Sequence, residues 1–362
     1  MRKSYIDNTR TLTILLVVVY HIIYIFNGII PDGVIGPVAK SNAIDVVQYL
    51  LYPWFMVILF IISGMCSRYY LENHTAKEYL KSRTRKLLVP STIGLLVFGW
   101  LQGYINMAIS NAFENIPDTV PGLALYPIMC ISGTGVLWTI QVMWILSLVL
   151  LLVRKIEKGK LEKLGAKVGI IGLLLLGILV WGSAQILNTP VVAVYRFGIY
   201  GFTFLLGYYV FSHEEVMDVL KKYSVYLMIA AFILGIVYAL TSFGTNYAVT
   251  PFVNAPLAIA YGWMMCLAIL GCMKRWGDHK SRFFDFLSAR SFGLYIFHYL
   301  TLSAFAYYIT KYTGLRGIPV YLMTAVAAFG GALLLNEIVV RIPVLRWCVL
   351  GIRKEKKKDV LR

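Results

Sequence analysis

Residues 11–30 read TLTILLVVVYHIIYIFNGII, a stretch of 20 residues without Asp, Glu, Lys or Arg. A helix of this length and apolar character spans the hydrocarbon core of a bilayer. His21 lies near its middle, and an imidazole inside a membrane is costly unless it has a role. The segment therefore predicts a transmembrane helix and makes His21 the first candidate functional residue.

The composition extends this interpretation to the whole chain. Hydrophobic residues make up 59% of the 362 residues, charged residues 14%, and the mean hydropathy is +0.73. These values lie outside the range of soluble proteins. The sequence predicts an all-α polytopic membrane protein, a bundle of about ten helices. The predicted spans lie near residues 11–30, 46–67, 87–107, 135–153, 168–187, 195–212, 224–242, 252–273, 292–310 and 320–341. One transmembrane domain, residues 1–345, precedes a basic tail, residues 346–362.

The distribution of positive charge predicts how the chain is oriented in the membrane. Lys and Arg collect on cytoplasmic connections. With both termini inside, all but four of the 34 Lys and Arg residues fall on the cytoplasmic side, and the exceptions are Lys40, Arg196, Lys311 and Arg316. This rule and attraction to anionic membrane lipids account for the net charge of +17. No nucleic-acid partner is therefore expected, and the basic tail is interpreted as a membrane-surface anchor.

Neither a metal nor a disulfide framework is indicated. The five cysteines lack the spacing of either, and His, Cys and carboxylates do not cluster at ligand spacing. Gly99-x-x-x-Gly103 predicts close helix packing. The outer connection, residues 108–134, is long enough to cap an outward cavity, or it is a simple connection.

Cations gather at the predicted cytoplasmic edge. Helical rise places Arg10 about 16 Å from His21, roughly half the hydrocarbon thickness. Arg83, Arg85 and Lys86 lie directly before the third span. Guanidinium and ammonium groups at a membrane edge suit a phosphate-bearing ligand, although such a run also serves as a topology determinant.

Polar residues also occur elsewhere in the predicted spans. His298 lies about 9 Å from the cytoplasmic start of the ninth span, and it is either a second catalytic group or a partner for a neighbouring helix. Trp138, Gln141 and Arg196 lie near the predicted outer ends of their spans, where they are candidates for binding a ligand. Tryptophan is also typical of interfacial belts. If Arg196 faces a cavity, it would meet an anionic group.

Several motifs together resemble the acyltransferase-3 family of integral membrane acyltransferases. They extend along the chain as Asp7-x-x-Arg10 followed by His21, Arg83-x-x-Lys86 before Pro90, Gly135-x-Leu137-Trp138, Ser291-x-x-x-Tyr295-x-x-His298, and finally Glu337, Arg341, Pro343 and Arg346. Within the family, residues 60–68 look most like the branch of glucan succinyltransferases.

The resemblance implies a multi-pass protein of the bacterial plasma membrane. Its activity would be transfer of an acetyl or succinyl group from cytoplasmic acyl-CoA to a hydroxyl of an extracytoplasmic glycan or related acceptor. Arg10 and His21 match the family's essential pair, and Arg83 and Lys86 match its cytoplasmic R-x-x-R. Lysine in the second place keeps the charge but loses the bidentate fork. Acyl-CoA would be a substrate, and no permanently bound cofactor is implied.

The chemistry fits these residue types. A sugar hydroxyl is a poor nucleophile at neutral pH, and an imidazole that removes its proton contributes roughly 10²–10⁴ in rate. His21 is the candidate base, with an acyl-histidine intermediate as the variant mechanism. Tyr295, His298 or a backbone amide would stabilise the oxyanion. The candidates for binding the acceptor are Trp138, Gln141 and Arg196, and Arg196 would meet an anionic acyl group or an anionic acceptor if it faces the cavity. Two alternatives stay open: a proton-coupled transporter or flippase that uses His21 and His298, and a non-enzymatic membrane sensor. The sequence leaves donor, acceptor and oligomeric state open.

Overall fold

The structure is a computed structural model that describes residues 3–29, 34–39, 42–117, 120–190 and 194–353. Its helices, in chain order, are α1 (Ser4–Tyr24), α2 (Val46–Leu71), α3 (Ala76–Ile109), α4 (Gly122–Ser132), α5 (Trp138–Glu157), α6 (Lys160–Gly165), α7 (Ile170–Ala184), α8 (Phe197–Phe211), α9 (Glu214–Ser242), α10 (Pro256–Trp276), α11 (Arg282–Tyr312), α12 (Ile318–Arg341) and α13 (Pro343–Leu350). Short 3₁₀ turns occur at Asn42–Asp45, Ala112–Asn115, Gly135–Leu137 and Phe252–Asn254. Strands β1 (Asn188–Pro190) and β2 (Val194–Arg196) pair antiparallel, with Asn188 opposite Arg196.

The all-α polytopic fold is confirmed. Within the described residues, eight helices are long and apolar enough to cross a membrane: α1, α2, α3, α5, α9, α10, α11 and α12. The fifth and sixth predicted spans correspond to α7 and α8, which are shorter apolar helices. The total of about ten spans therefore stays a prediction. The start of the predicted basic tail falls inside α13, and residues 354–362 lie outside the described residues.

The predicted glycine contact on α3 is confirmed. A Cβ atom on Gly103 would lie 1.7 Å from the carbonyl oxygen of Met129, and one on Gly133 would lie 1.9 Å from that of Gly99. Only residues without side chains allow the two backbones to approach so closely. Much of the long outer connection is thus not a free loop, because α4 folds back against the outer half of α3.

Helix α1 holds a central position in the bundle. It packs against α2, α10, α11 and α12. Its N-terminal end, which is predicted to be cytoplasmic, is fixed by Asn8, whose amide donates to the carbonyl oxygens of Gly277 at 2.8 Å and His279 at 2.9 Å. The residues that α1 carries are therefore held at a defined depth and rotation.

Helix α3 begins at a capping box in which the side chains of Thr75 and Glu78 satisfy each other's backbone N–H groups. It is interrupted by π-helical segments at Thr84–Leu88 and Leu95–Gly99. Such segments occur often at functional sites because they re-aim side chains. The first contains Arg85 and Lys86, at the predicted cytoplasmic edge.

Candidate functional site

Two histidines from helices far apart in sequence meet inside the bundle. Nε2 of His298, on α11, lies 3.2 Å from Nδ1 of His21, on α1. Nδ1 of His298 lies 2.8 Å from the carbonyl oxygen of Tyr295, and Nδ1 of His21 lies 2.9 Å from that of Val17. His298 is fully buried. The structure thus brings together the two predicted imidazoles.

These contacts determine which nitrogen carries each proton in the neutral pair. A carbonyl oxygen only accepts hydrogen bonds, so Nδ1 of each histidine bears a hydrogen. Nε2 of neutral His298 then accepts a hydrogen bond from Nδ1–H of His21, which is shared with the carbonyl oxygen of Val17. Nε2 of His21 keeps a lone pair. His21 is therefore oriented as a proton acceptor, and the partner on its other nitrogen is His298.

His21 lies on the wall of a cavity of about 520 Å³. The cavity includes side chains from the outer ends of α1, α3 and α5, so by the predicted topology it lies in the outer half of the protein. Its polar and aromatic lining includes Tyr20, His21, Tyr24, Tyr52, Asn106, Ser110, Ser132, Trp138, Thr139, Tyr200, Tyr295 and Tyr299. The cavity thus unites His21 with two other predicted site residues, Trp138 and Tyr295.

Four of the lining tyrosines were not singled out from the sequence. The ring centroids of Tyr20 and Tyr299 each lie 5.1 Å from that of His21, and that of Tyr24 lies 6.4 Å away. Tyr52 packs against Tyr20 from α2. A signal was present in α1, because Tyr20 and Tyr24 flank His21 within one helical turn. His21 therefore lies among aromatic rings on the wall of the cavity.

Tyr295 contributes its ring to the cavity, but its hydroxyl is engaged. It donates a hydrogen bond of 2.8 Å to the carbonyl oxygen of Val136. A role for Tyr295 as oxyanion donor would require this bond to break. Within the described residues, no group of three His, Cys, Asp or Glu side chains is placed to hold a metal ion.

Arg10 and Arg83 lie in one region of the bundle, near the end that is predicted to be cytoplasmic. Arg10 pairs with Asp7 at 2.8 Å and donates to the hydroxyl of Ser288 at 3.4 Å. Arg83 donates to the hydroxyl of Ser67 on α2 at 2.6 Å. Both guanidinium groups lie within electrostatic range of Cys66. The structure therefore brings the two predicted phosphate-binding arginines to one region.

The other two cations of the predicted cluster, Arg85 and Lys86, lie in different places. Lys86 is exposed and lies within electrostatic range of Arg10, Arg83 and Arg85. Arg85 lines a separate groove with Trp347. A small cavity of about 150 Å³ lies beside Arg10. Its lining includes residues that were not predicted to belong to a site, namely Ser4, Asn8, His279, Lys280, Asp285 and Ser288.

Two of the residues predicted to bind the acceptor substrate lie outside the cavity that contains His21. Gln141 donates to the carbonyl oxygen of Ser91 at 3.1 Å and accepts from the hydroxyl of Tyr195 at 3.3 Å. Arg196 is 3% exposed and donates to Asn254 Oδ1 at 3.0 Å. Both side chains thus connect helices and loops, and neither lines the cavity.

Comparison with known proteins adds one finding. No curated protein and no solved structure matches the chain. The model of the acyltransferase-3 family, described as an acyltransferase domain, matches residues 3–337. This match includes the helices that carry both histidines and the cations at the predicted cytoplasmic edge. The chain therefore belongs to the acyltransferase-3 family of membrane proteins.

Proposed function

We propose that this membrane acyltransferase transfers an acetyl or succinyl group from cytoplasmic acyl-CoA to a hydroxyl of an extracytoplasmic glycan or related acceptor, in a bacterial plasma membrane. The observation that carries the proposal is the position of His21, which lines the cavity while Arg10 lies nearer the N-terminal end of the same helix, the end that is predicted to be cytoplasmic. Helical rise separates the two residues by about 16 Å. An extended pantetheine arm has a comparable length.

His21 is proposed as the general base. As the acceptor oxygen forms its bond to the thioester carbonyl carbon, Nε2 of His21 takes the hydroxyl proton. The tetrahedral intermediate then collapses, the carbon–sulfur bond breaks, and the same proton passes from Nε2 to the departing CoA sulfur. The products are an ester and free CoA, and His21 returns to its neutral form.

His298 is proposed as a positioning residue in this step. Its Nε2 accepts a hydrogen bond from Nδ1–H of His21 at 3.2 Å. This bond orients the ring of His21, and it strengthens when His21 becomes positively charged. The neutral His298 thus resembles in its role the third member of a catalytic triad.

Arg10, Arg83 and Lys86 are proposed to bind the phosphate groups of the donor. Their mutual proximity concentrates positive charge at one point of the cytoplasmic side. Arginine forks match phosphate geometry, whereas Lys86 contributes a point charge. Trp138 is proposed to bind the acceptor, since its side chain lines the cavity that contains His21.

The test is donor binding and turnover by purified protein, with acetyl-CoA and succinyl-CoA tried separately. We expect the wild-type protein to bind one thioester and to release CoA slowly by hydrolysis. The His21→Ala variant should bind the same thioester with unchanged affinity and lose about 10²–10⁴ in rate. His74→Ala is the matched control, because His74 is exposed and stacks only on Tyr70.

Three results would overturn parts of the proposal. Failure of both thioesters to bind would remove the acyl-CoA donor. Unchanged turnover in His21→Ala would remove the base. Covalent retention of the acyl group on His21 would replace direct transfer with an acyl-histidine intermediate. Preference between the two donors also tests the suggested similarity to glucan succinyltransferases. Family membership disfavours the transporter alternative.

A further inference from the structure

The groove that Arg85 lines lies at the start of α3, on the side that is predicted to be cytoplasmic. It has a volume of about 490 Å³ and is lined by Lys77, Leu80, Lys81, Thr84, Arg85, Val89, Trp347 and Arg353. We call it the cytoplasmic groove. Its residues come from α3 and from the segment that includes α13, so the groove is formed where these two parts of the chain meet.

Close backbone packing fixes its shape. Gly351 has φ +61°, and a Cβ atom there would lie 2.2 Å from the carbonyl oxygen of Arg85. A Cβ atom on Gly94 would lie 2.7 Å from the carbonyl oxygen of Cys348. Helix α13 is thereby held directly against α3. The closely packed backbones of α3 and α13 therefore form the walls of the groove.

The lining combines strong positive charge with apolar surface. Lys77, Lys81, Arg85 and Arg353 supply four cations, and among residues 3–353 that the structure describes no acidic side chain lines the groove. Within the described part of the chain, none of the four forms a salt bridge. Nε of Arg85 is buried, and none of the described residues offers it a hydrogen-bond partner.

The apolar part of the lining comes from Leu80, Val89 and Trp347. Tryptophan favours the membrane–water boundary, and basic pockets between helices on the cytoplasmic side bind lipid headgroups. A phosphate group would satisfy the cations, while an acyl chain would cover the apolar side chains. A soluble phosphate would leave that apolar surface exposed.

We propose that the cytoplasmic groove binds an anionic phospholipid of the inner leaflet. The site is separate from the region proposed for the donor, because Arg83 points to Ser67 on α2 whereas Arg85 lines the groove. Arg85 belongs to the π-helical segment Thr84–Leu88, which also carries Lys86. A bound lipid therefore braces the segment that presents Lys86 toward the donor.

The test is lipid retention by the full-length protein, measured by native mass spectrometry. Phosphatidylglycerol and phosphatidylcholine are added separately to delipidated protein. The double variant Lys81→Gln/Arg85→Gln removes two groove charges. Lys160→Gln/Lys163→Gln is the matched control, because both lysines are exposed on cytoplasmic α6 and neither lines the groove.

We expect one phosphatidylglycerol to bind in preference to phosphatidylcholine. The groove variant should bind it about 30-fold more weakly, whereas the control should bind as the wild type does. Phosphatidylglycerol should also raise the melting temperature of the wild type more than that of the groove variant. Thermal unfolding without lipid checks that the groove variant is folded.

The proposal is overturned by equal weakening in the control, which would indicate unspecific attraction to the surface. It is also overturned if phosphatidylcholine binds equally well. Displacement of the lipid by CoA would show that the groove is a nucleotide site. None of these outcomes depends on acyl transfer, so this proposal and the proposed function can fail separately.

Discussion

Replacing His298 by alanine tests the arrangement of the two histidines. The substitution removes the acceptor 3.2 Å from Nδ1 of His21 but leaves the carbonyl oxygen of Val17, 2.9 Å from the same nitrogen. His21 therefore keeps its tautomer and loses one of two orienting hydrogen bonds. A hydrogen bond to a group that becomes charged contributes about 1.5–3 kcal/mol. We expect kcat to fall by about 10- to 150-fold.

The replacement His298→Gln separates positioning from proton transfer. Glutamine offers a carbonyl oxygen that accepts a hydrogen bond from Nδ1–H of His21, but it does not carry a proton at neutral pH. If His298 acts by orienting its neighbour, part of the lost rate should return in His298→Gln. The KM values for donor and acceptor should stay close to those of the wild type, because His298 does not line the cavity.

The assay is acceptor-dependent CoA release, followed at saturating and subsaturating donor. Thermal unfolding serves as a control, since truncating a fully buried side chain also leaves a void. Wild-type activity in His298→Ala would refute the positioning argument. A loss as large as that of His21→Ala, without recovery in His298→Gln, would also refute it and would indicate that His298 itself exchanges protons.

Two further predictions concern stability. Gly103→Leu should lower the melting temperature, because its side chain would collide with the backbone at Met129; Gly182→Leu is the control, since a Cβ atom there meets no atom within 4 Å. The hydrogen bond from Arg68 lowers the pKa of Glu162 below its usual 4.5. The stabilisation of the folded protein by this ion pair is therefore complete above pH 4.5, and it is lost as the pH falls through the pKa of Glu162 in the folded state. Thermal unfolding between about pH 6 and 3 should show a smaller decline in Glu162→Gln than in the wild type, and equal declines would contradict this.

Much of the fold could be predicted from hydropathy because helix length and depth are both fixed by the bilayer. The long spans follow directly from apolar runs. The sequence was less informative for α7 and α8: the predicted span 168–187 ends just before strand β1, and the predicted span 195–212 begins inside strand β2. A 15-residue helix such as α7 is consequently shorter than the apolar stretch around it.

The position of the candidate residues along their helices could be predicted from the sequence, but the direction in which each side chain points could not. His21 and Arg10 share one helix, so their separation follows from helical rise alone. The contact between His21 and His298 depends on how α1 packs against α11, which no local pattern encodes. Gln141 and Arg196 show the same limit, because proximity to an outer end does not establish which way a side chain faces. Arg196 instead bonds to Asn254 in the loop before α10.

The placement of His21 also constrains where the two substrates would meet. Its Nδ1 is hydrogen-bonded to Val17 and His298, so proton transfer by His21, as proposed, would be confined to the Nε2 side of the ring. The acceptor would approach from the outer cavity, and the thioester would have to extend about 16 Å from the level of Arg10. Neither the nucleotide nor the acceptor would then need to cross the bilayer. The pantetheine arm would be the part of the donor that bridges the cytoplasmic half, which makes its length as important as the charge that holds the phosphates.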